Sequence, residues 1–220
     1  MDLCQVWDDR RCSNHETLAW SSNAGTPLGN GTIMLEIRFH GRGGQGTVVA
    51  SILLAKAFFQ AGYQVQSFPL FGVERRGAPV EAYLRLNQKK ILVRTNVYTP
   101  DHVVVLDRTL LHGVNVTRGA KPGGWILINS PPTLEFGQTF PGFGLALIDA
   151  TRIALAHGLG TRTHPIVNTA MVGAFARVLA MPPMDTVAAA IREDVPSKPD
   201  DNIQAALDAY QQVQLIMPAK

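Results

Sequence analysis

Gly41-Arg42-Gly43-Gly44-Gln45-Gly46 carries the densest chemical signal in the chain. It has the form GxGxxG and lies between a stretch with strand alternation and one with helix periodicity. Glycines at this spacing allow a tight turn and let a ligand approach the backbone. The helix that follows offers free N–H groups and a partial positive charge, the makings of an anion site, to which Arg42 adds a full charge. Two familiar phosphate sites do not fit. A P-loop needs Lys and then Ser or Thr after its last glycine, whereas Gly46 is followed by Thr47-Val48. A dinucleotide site needs an acidic residue about 20 positions on, at the end of the second strand, to hold a ribose. No Asp or Glu occurs between Glu36 and Glu74, so NAD is not expected. The spacing leaves two possibilities open, a bound anion or a tight β–α turn without a ligand.

A second cluster is Phe71-Gly72-Val73-Glu74-Arg75-Arg76-Gly77-Ala78-Pro79. Two adjacent guanidinium groups in a loop bounded by glycine and proline suit a carboxylate or phosphate. They equally suit an ion pair between subunits or a solvated loop. Asp107 and Asp149 end apolar runs, where ligands bind in open α/β sheets, but helix capping is the simpler role. Asn168-Thr169 also reads as a helix cap. No nucleophile stands beside a base and no GxSxG occurs, so no catalytic residue is assigned. The six His show no paired spacing for a metal. The two cysteines, Cys4 and Cys12, leave the rest of the chain without the four thiolates of an iron–sulfur cluster.

The elements that must position these residues follow from periodicity. Leu35–Phe39 alternates as a strand. Thr47–Ala61 reads as a helix with Val48, Ile52, Ala55 and Phe59 on one face and Gly62 as its stop. Tyr63–Phe68 completes a β–loop–α–β unit, which favours a parallel sheet. Val80–Leu86 and Lys90–Thr95 read as the arms of a β-hairpin turning at Asn87-Gln88. His102–Leu106, Trp125–Asn129 and Leu145–Ile148 are short apolar runs of the kind buried on both faces of a parallel sheet. Helices are expected at 150–157, 167–179, 184–193 and 199–213. The fold class is therefore α/β, Rossmann-like, with a mostly parallel sheet flanked by helices, a β-hairpin and a helical C-terminal part.

Residues 1–33 are polar, rich in Ser, Asn and Gly, and without periodicity. They read as a disordered N-terminal extension before one domain over 34–220, or Met34 is the natural start. Charged residues make up only 17% of the chain, which implies much buried surface, some of it against partner subunits. A formal net charge of +3 without aromatic interleaving argues against nucleic acid. No run of about 18 apolar residues calls for a membrane span, and no signal peptide is evident, so a cytoplasmic location is expected.

Several motifs occur together and in order. They are Arg38-Phe39-His40 running into the glycine loop, Phe71 to Val80, Leu106-Asp107 with Thr109-Leu110-Leu111, Lys121-Pro122-Gly123-Gly124, and Asn168 to Ala176. Over about residues 35–213 the chain thus resembles the gamma subunit of pyruvate:ferredoxin oxidoreductase, of the 2-oxoacid:acceptor oxidoreductase family. The resemblance implies a subunit outside the catalytic core of an enzyme that oxidatively decarboxylates a 2-oxoacid, pyruvate first, with CoA to an acyl-CoA and CO2. Electrons then pass to ferredoxin or flavodoxin. Thiamine diphosphate, Mg2+ and [4Fe-4S] clusters would belong to the alpha, beta and delta subunits or their fused equivalents. In this chain, Gly41, Arg42, Gly43, Gly44, Gln45, Gly46 and Thr47 would hold CoA phosphates or a structural anion, with charge from Arg75 and Arg76 beside Glu74 and Gly77. Two alternatives are a purely structural subunit of the same complex and a stand-alone phosphate-ligand binder with a Rossmann-like fold.

Overall fold

The computed structural model describes residues 34–70, 77–131 and 140–216. The chain forms β1 (Leu35–Arg42), α1 (Thr47–Gln60), β2 (Gln64–Pro69), β3 (Pro79–Asn87), β4 (His102–Val105) and a 3-10 turn at Arg108–His112. There follow β5 (Trp125–Asn129), β6 (Gly144–Ile148), α2 (Ala150–Ala156) and a two-rung hairpin of β7 (Gly160–Thr161) and β8 (His164–Pro165). The end is α3 (Asn168–Leu179), α4 (Met184–Asp194), α5 (Pro199–Gln212) and β9 (Gln214–Ile216). No helix among the described residues is long and apolar enough to cross a membrane.

The main sheet has the order β2-β3-β1-β4-β5-β6-β9. Strands β1, β4, β5 and β6 pair in parallel, while β3 and β9 run against them. The apolar runs HVVV, WILIN and GLALI occupy the centre, as strands buried on both faces must. Two local expectations need correction. The β–α–β unit does not place its strands side by side, because β3 lies between β1 and β2 and is antiparallel to both. The hairpin partner of β3 is accordingly β2, and Lys90–Thr95 is not a strand. Both edges of β3 are filled, so the 90–95 segment cannot pair with it.

The two faces of the sheet differ. Among the described residues, all five helices put buried apolar side chains into one cluster with Ile37, Phe39, Leu84, Val104, Leu127 and Ile148. The other face of the parallel strands packs on loop residues such as Val116, Phe140 and Phe143. Within α1 the buried residues include Ala50, Leu53, Leu54, Ala57 and Phe58, whereas Ile52 and Phe59 are 39% and 62% exposed. The expected face is therefore rotated from the real one. The helix is apolar nearly all round, so periodicity alone does not choose which side meets the sheet. Helices α3 and α5 meet at Gly173, where any Cβ would strike the backbone carbonyl of Ala206.

Where β1 and β3 pair, the loop-covered face is polar. The register sets Glu36 opposite Arg85, Arg38 opposite Tyr83 and His40 opposite Glu81. Arg85 Nε donates to Glu36 Oε1 at 2.7 Å, and the Tyr83 hydroxyl donates to Glu81 Oε2 at 2.7 Å. Burial pushes His40 down to about 4 against the opposing pull of Glu81, so its ring is neutral near pH 7.

Candidate functional site

The glycine loop lies at the C-terminal end of β1, beside the ends of β4, β5 and β6. It is also where the chain reverses direction across the sheet, from β2 and β3 on one side of β1 to β4 on the other, the usual place for a ligand in an open α/β fold. Gly46 has φ +78°, in the left-handed region, and a Cβ there would press on the side chain of Asn168. A Cβ at Gly41 would collide with the Thr47 hydroxyl. Both glycines are thus required by close approach, one to the start of α3 and the other to the start of α1.

The N-terminus of α1 has no side-chain cap and no acidic residue in its first turn. The first N–H groups of a helix lack intrahelical partners, so this end is open to an anion. The Thr47 hydroxyl is buried and without a hydrogen-bond partner. Gly43 is clamped to the start of β3 in both directions. Its N–H donates to Ala78 O at 2.9 Å, and it accepts from Gly77 N at 3.0 Å. Two motifs far apart in sequence, the glycine loop and Gly77, are thereby joined. Glu74, Arg75 and Arg76 lie outside the described residues, as do residues 1–33.

Arg42 is engaged within the chain. Its Nη1 donates to Gly77 O at 2.9 Å, its Nη2 to Thr109 Oγ1 at 2.8 Å, and its Nε lies 3.2 Å from Asp107 Oδ2. Gln45 accepts from Arg42 N–H at 2.9 Å and donates to Asp107 Oδ2 at 2.8 Å, so its amide ties the glycine loop to the end of β4. Asp107 also accepts from Thr109 N–H at 2.9 Å, and Asp149 accepts from Arg152 N–H at 2.9 Å. Both aspartates are caps, as sequence reasoning expects. Burial raises the Asp107 pKa, but hydrogen bonds from Thr109 and Gln45 and the nearby Arg42 charge together outweigh it and hold the carboxyl below its ordinary value. Asn168 is the first residue of α3, and its Oδ1 accepts from Thr169 N–H at 2.8 Å.

A crevice of about 360 Å3 opens beside this cluster, lined by Gln45, Asp107, Thr109, Asn129, Asp149 and Thr151, with Pro131, Pro165 and Val167 as apolar wall. Sequence reasoning did not single out Asn129 or Thr151. Asn129 Nδ2 donates to Leu106 O at 2.9 Å and to Thr151 Oγ1 at 3.1 Å, binding the ends of β4 and β5 to α2. The signal was available. Asn129 is the polar last residue of a buried strand, like the aspartates that follow β4 and β6. Gln45, Asp107 and Thr109 form one hydrogen-bonded set and Asn129 and Thr151 another, Arg108 also lines the crevice, and no group in it is arranged as a nucleophile with its base.

Comparison with known proteins gives a consistent picture. The family described as pyruvate ferredoxin/flavodoxin oxidoreductase matches residues 36–212. Pyruvate synthase subunit PorC of Methanothermobacter marburgensis is 49% identical over 181 residues, covering 82% of this chain and 98% of that protein. The pyruvate/ketoisovalerate oxidoreductases common subunit gamma of Thermococcus kodakarensis is 48% identical, covering 80% of this chain and 96% of that one. In three dimensions, the crystal structure of pyruvate oxidoreductase subunit PORC from Thermotoga maritima superposes with a TM-score of 0.70 at 35% identity, over 83% of this chain and 98% of that one. The chain belongs to the pyruvate ferredoxin/flavodoxin oxidoreductase family, as a gamma-type subunit of a 2-oxoacid oxidoreductase complex.

Proposed function

We propose that the complex oxidatively decarboxylates pyruvate with CoA to acetyl-CoA and CO2, passing the two electrons released to ferredoxin or flavodoxin, and that this subunit forms part of the CoA side. The observation that carries the pyruvate assignment is 49% identity along nearly the whole length of a subunit named for pyruvate synthase. A relative named as common to pyruvate and ketoisovalerate enzymes fits a division of labour in which other subunits select the oxoacid. Thiamine diphosphate and iron–sulfur clusters, held by those subunits, would supply the decarboxylation and electron-transfer chemistry.

The CoA role rests on the uncapped N-terminus of α1, free of carboxylates in its first turn, at the end of β1. Its N–H groups suit a phosphate. Arg42, committed to Thr109, Gly77 and Asp107, acts in this account as a positioning residue that shapes the loop. The charge that meets CoA phosphate then comes from Arg75 and Arg76, which directly precede Gly77 in the sequence. Removing both guanidinium groups from a co-expressed complex (R75A/R76A) is expected to raise the apparent KM for CoA at least roughly tenfold, about 1.4 kcal/mol, with the KM for pyruvate unchanged. Wild-type constants for both substrates in an intact complex would contradict it. The engagement of Arg42 favours one second reading, a purely structural loop, and that outcome would select it.

A further inference from the structure

The sheet face opposite the helices carries a strap, residues 88–100, and we propose that its outer surface is a docking site for an acidic, apolar-centred face of another subunit of the complex. The inference rests on the gamma-subunit assignment and adds to it a place on the chain and a partner chemistry.

Leu92 is 77% exposed, its sequence neighbour Val93 40%, and Tyr98 69%. These are the side chains a chain normally covers. Lys89, Lys90 and Arg94 are exposed among them. No acidic residue occurs between Glu81 and Asp101, and the carboxylates nearest in the fold are already used. Glu36 pairs with Arg85, Glu81 accepts from Tyr83, and Asp101 pairs with Lys121 at 2.7 Å.

The strap is fixed from beneath. Arg38 donates to Tyr98 O at 3.3 Å and, from the same guanidinium, to Arg118 O at 2.8 Å. That shared donor places the exposed Arg118 next to Tyr98 and adds a fourth cation. Arg85 donates to Asn96 O at 3.1 Å and Gln66 to Ile91 O at 3.3 Å, while Val97 is buried. Buried arginines thus hold the backbone while its apolar and basic side chains face outward. A surface ordered in advance loses little freedom on binding. Charge complementarity then selects a partner with carboxylates around an apolar centre. The strap forms no helix and carries one aromatic side chain, unlike the basic amphipathic helix that lies on lipid or the aromatic rows that stack bases.

The test uses complexes co-expressed from all subunits, with this chain wild type, K89E/K90E/R94E, or L92S/Y98S, each chain first checked for an unchanged thermal midpoint. Assembly is titrated at rising salt. Carbodiimide, which joins lysine to carboxylate, is applied to the assembled wild type. The expected results are assembly weakened at least tenfold by the charge reversal, a flatter salt dependence in that variant, and cross-links from Lys89 or Lys90 to Asp or Glu of another subunit. If the wild type assembles and the triple variant assembles equally well, with Lys89 and Lys90 as reactive toward acetylation in the complex as in the free chain, the patch assignment falls alone. If the wild type fails to assemble with any partner, the gamma-subunit reading falls and takes this one with it. Capture of anionic vesicles or RNA through the same lysines, with assembly unaffected, would also overturn it.

Discussion

His102 is fully buried, and its Nδ1 accepts the N–H of Trp125 at 3.0 Å, a bond that only an unprotonated Nδ1 can make. Burial pushes its pKa down to about 4, with a smaller upward pull from Asp101 and a smaller downward push from Lys121. His40 is lowered to about 4 by the same cause. In the unfolded chain each ring titrates near 6.5. As pH falls from there toward 4 the unfolded state takes up protons that the folded state refuses, so stability is lost across that window and the loss levels off below it. By about pH 5 each ring is expected to have cost roughly 2 kcal/mol. Urea unfolding at about pH 7 and about pH 5 measures this. The variant His102→Asn keeps an acceptor and cannot titrate, so its stability should fall less; equal losses in both proteins would contradict the assignment. At this scale the sequence was partly legible. Asp107 and Asp149 announce themselves as caps through their place at strand ends. The orphaned Thr47 hydroxyl and the bond from Trp125 to His102 arise only from packing between distant segments.

Helix α1 shows where pattern reading stops. Its existence and limits follow from apolar density and the Gly62 stop, but its orientation does not, because Ile52 and Phe59 are as apolar as Leu54 and Phe58. Contact with the sheet decides which of them is buried. Leu54→Ala is expected to lower stability by about 2–5 kcal/mol through lost burial and the cavity left behind, while Phe59→Ala should change it by less than about 1 kcal/mol. Chemical denaturation of the two variants measures the difference, and similar losses would mean the face is assigned wrongly. The misplaced hairpin has a related cause. Val80–Leu86 and Lys90–Thr95 are neighbours with strand-like composition, yet β3 pairs with β1 and β2 instead. Local composition carries no information on whether a strand's edges are already taken. The apolar runs that became β4, β5 and β6 were legible because central parallel strands need apolar residues on both faces.

The molecule as a whole sets its helices on one face of a seven-stranded sheet and gathers the glycine loop, Asp107, Asn129 and Asp149 at one end of the parallel strands. A face covered by loops, a strap with exposed apolar and basic side chains, and a crevice without a nucleophile and its base suit a subunit that works within a larger assembly. Family membership could be read from ordered motifs. The engagement of Arg42 could not, because Gly77 and Thr109 lie 35 and 67 residues away from it in the sequence. The most direct measurement is purification of the tagged chain from its own cells without oxygen, with its partners identified by mass and pyruvate oxidation assayed with and without CoA. Recovery of thiamine-binding and iron–sulfur subunits, with activity strictly dependent on CoA, is the expected result. A chain recovered alone and inactive under the same conditions would contradict the account.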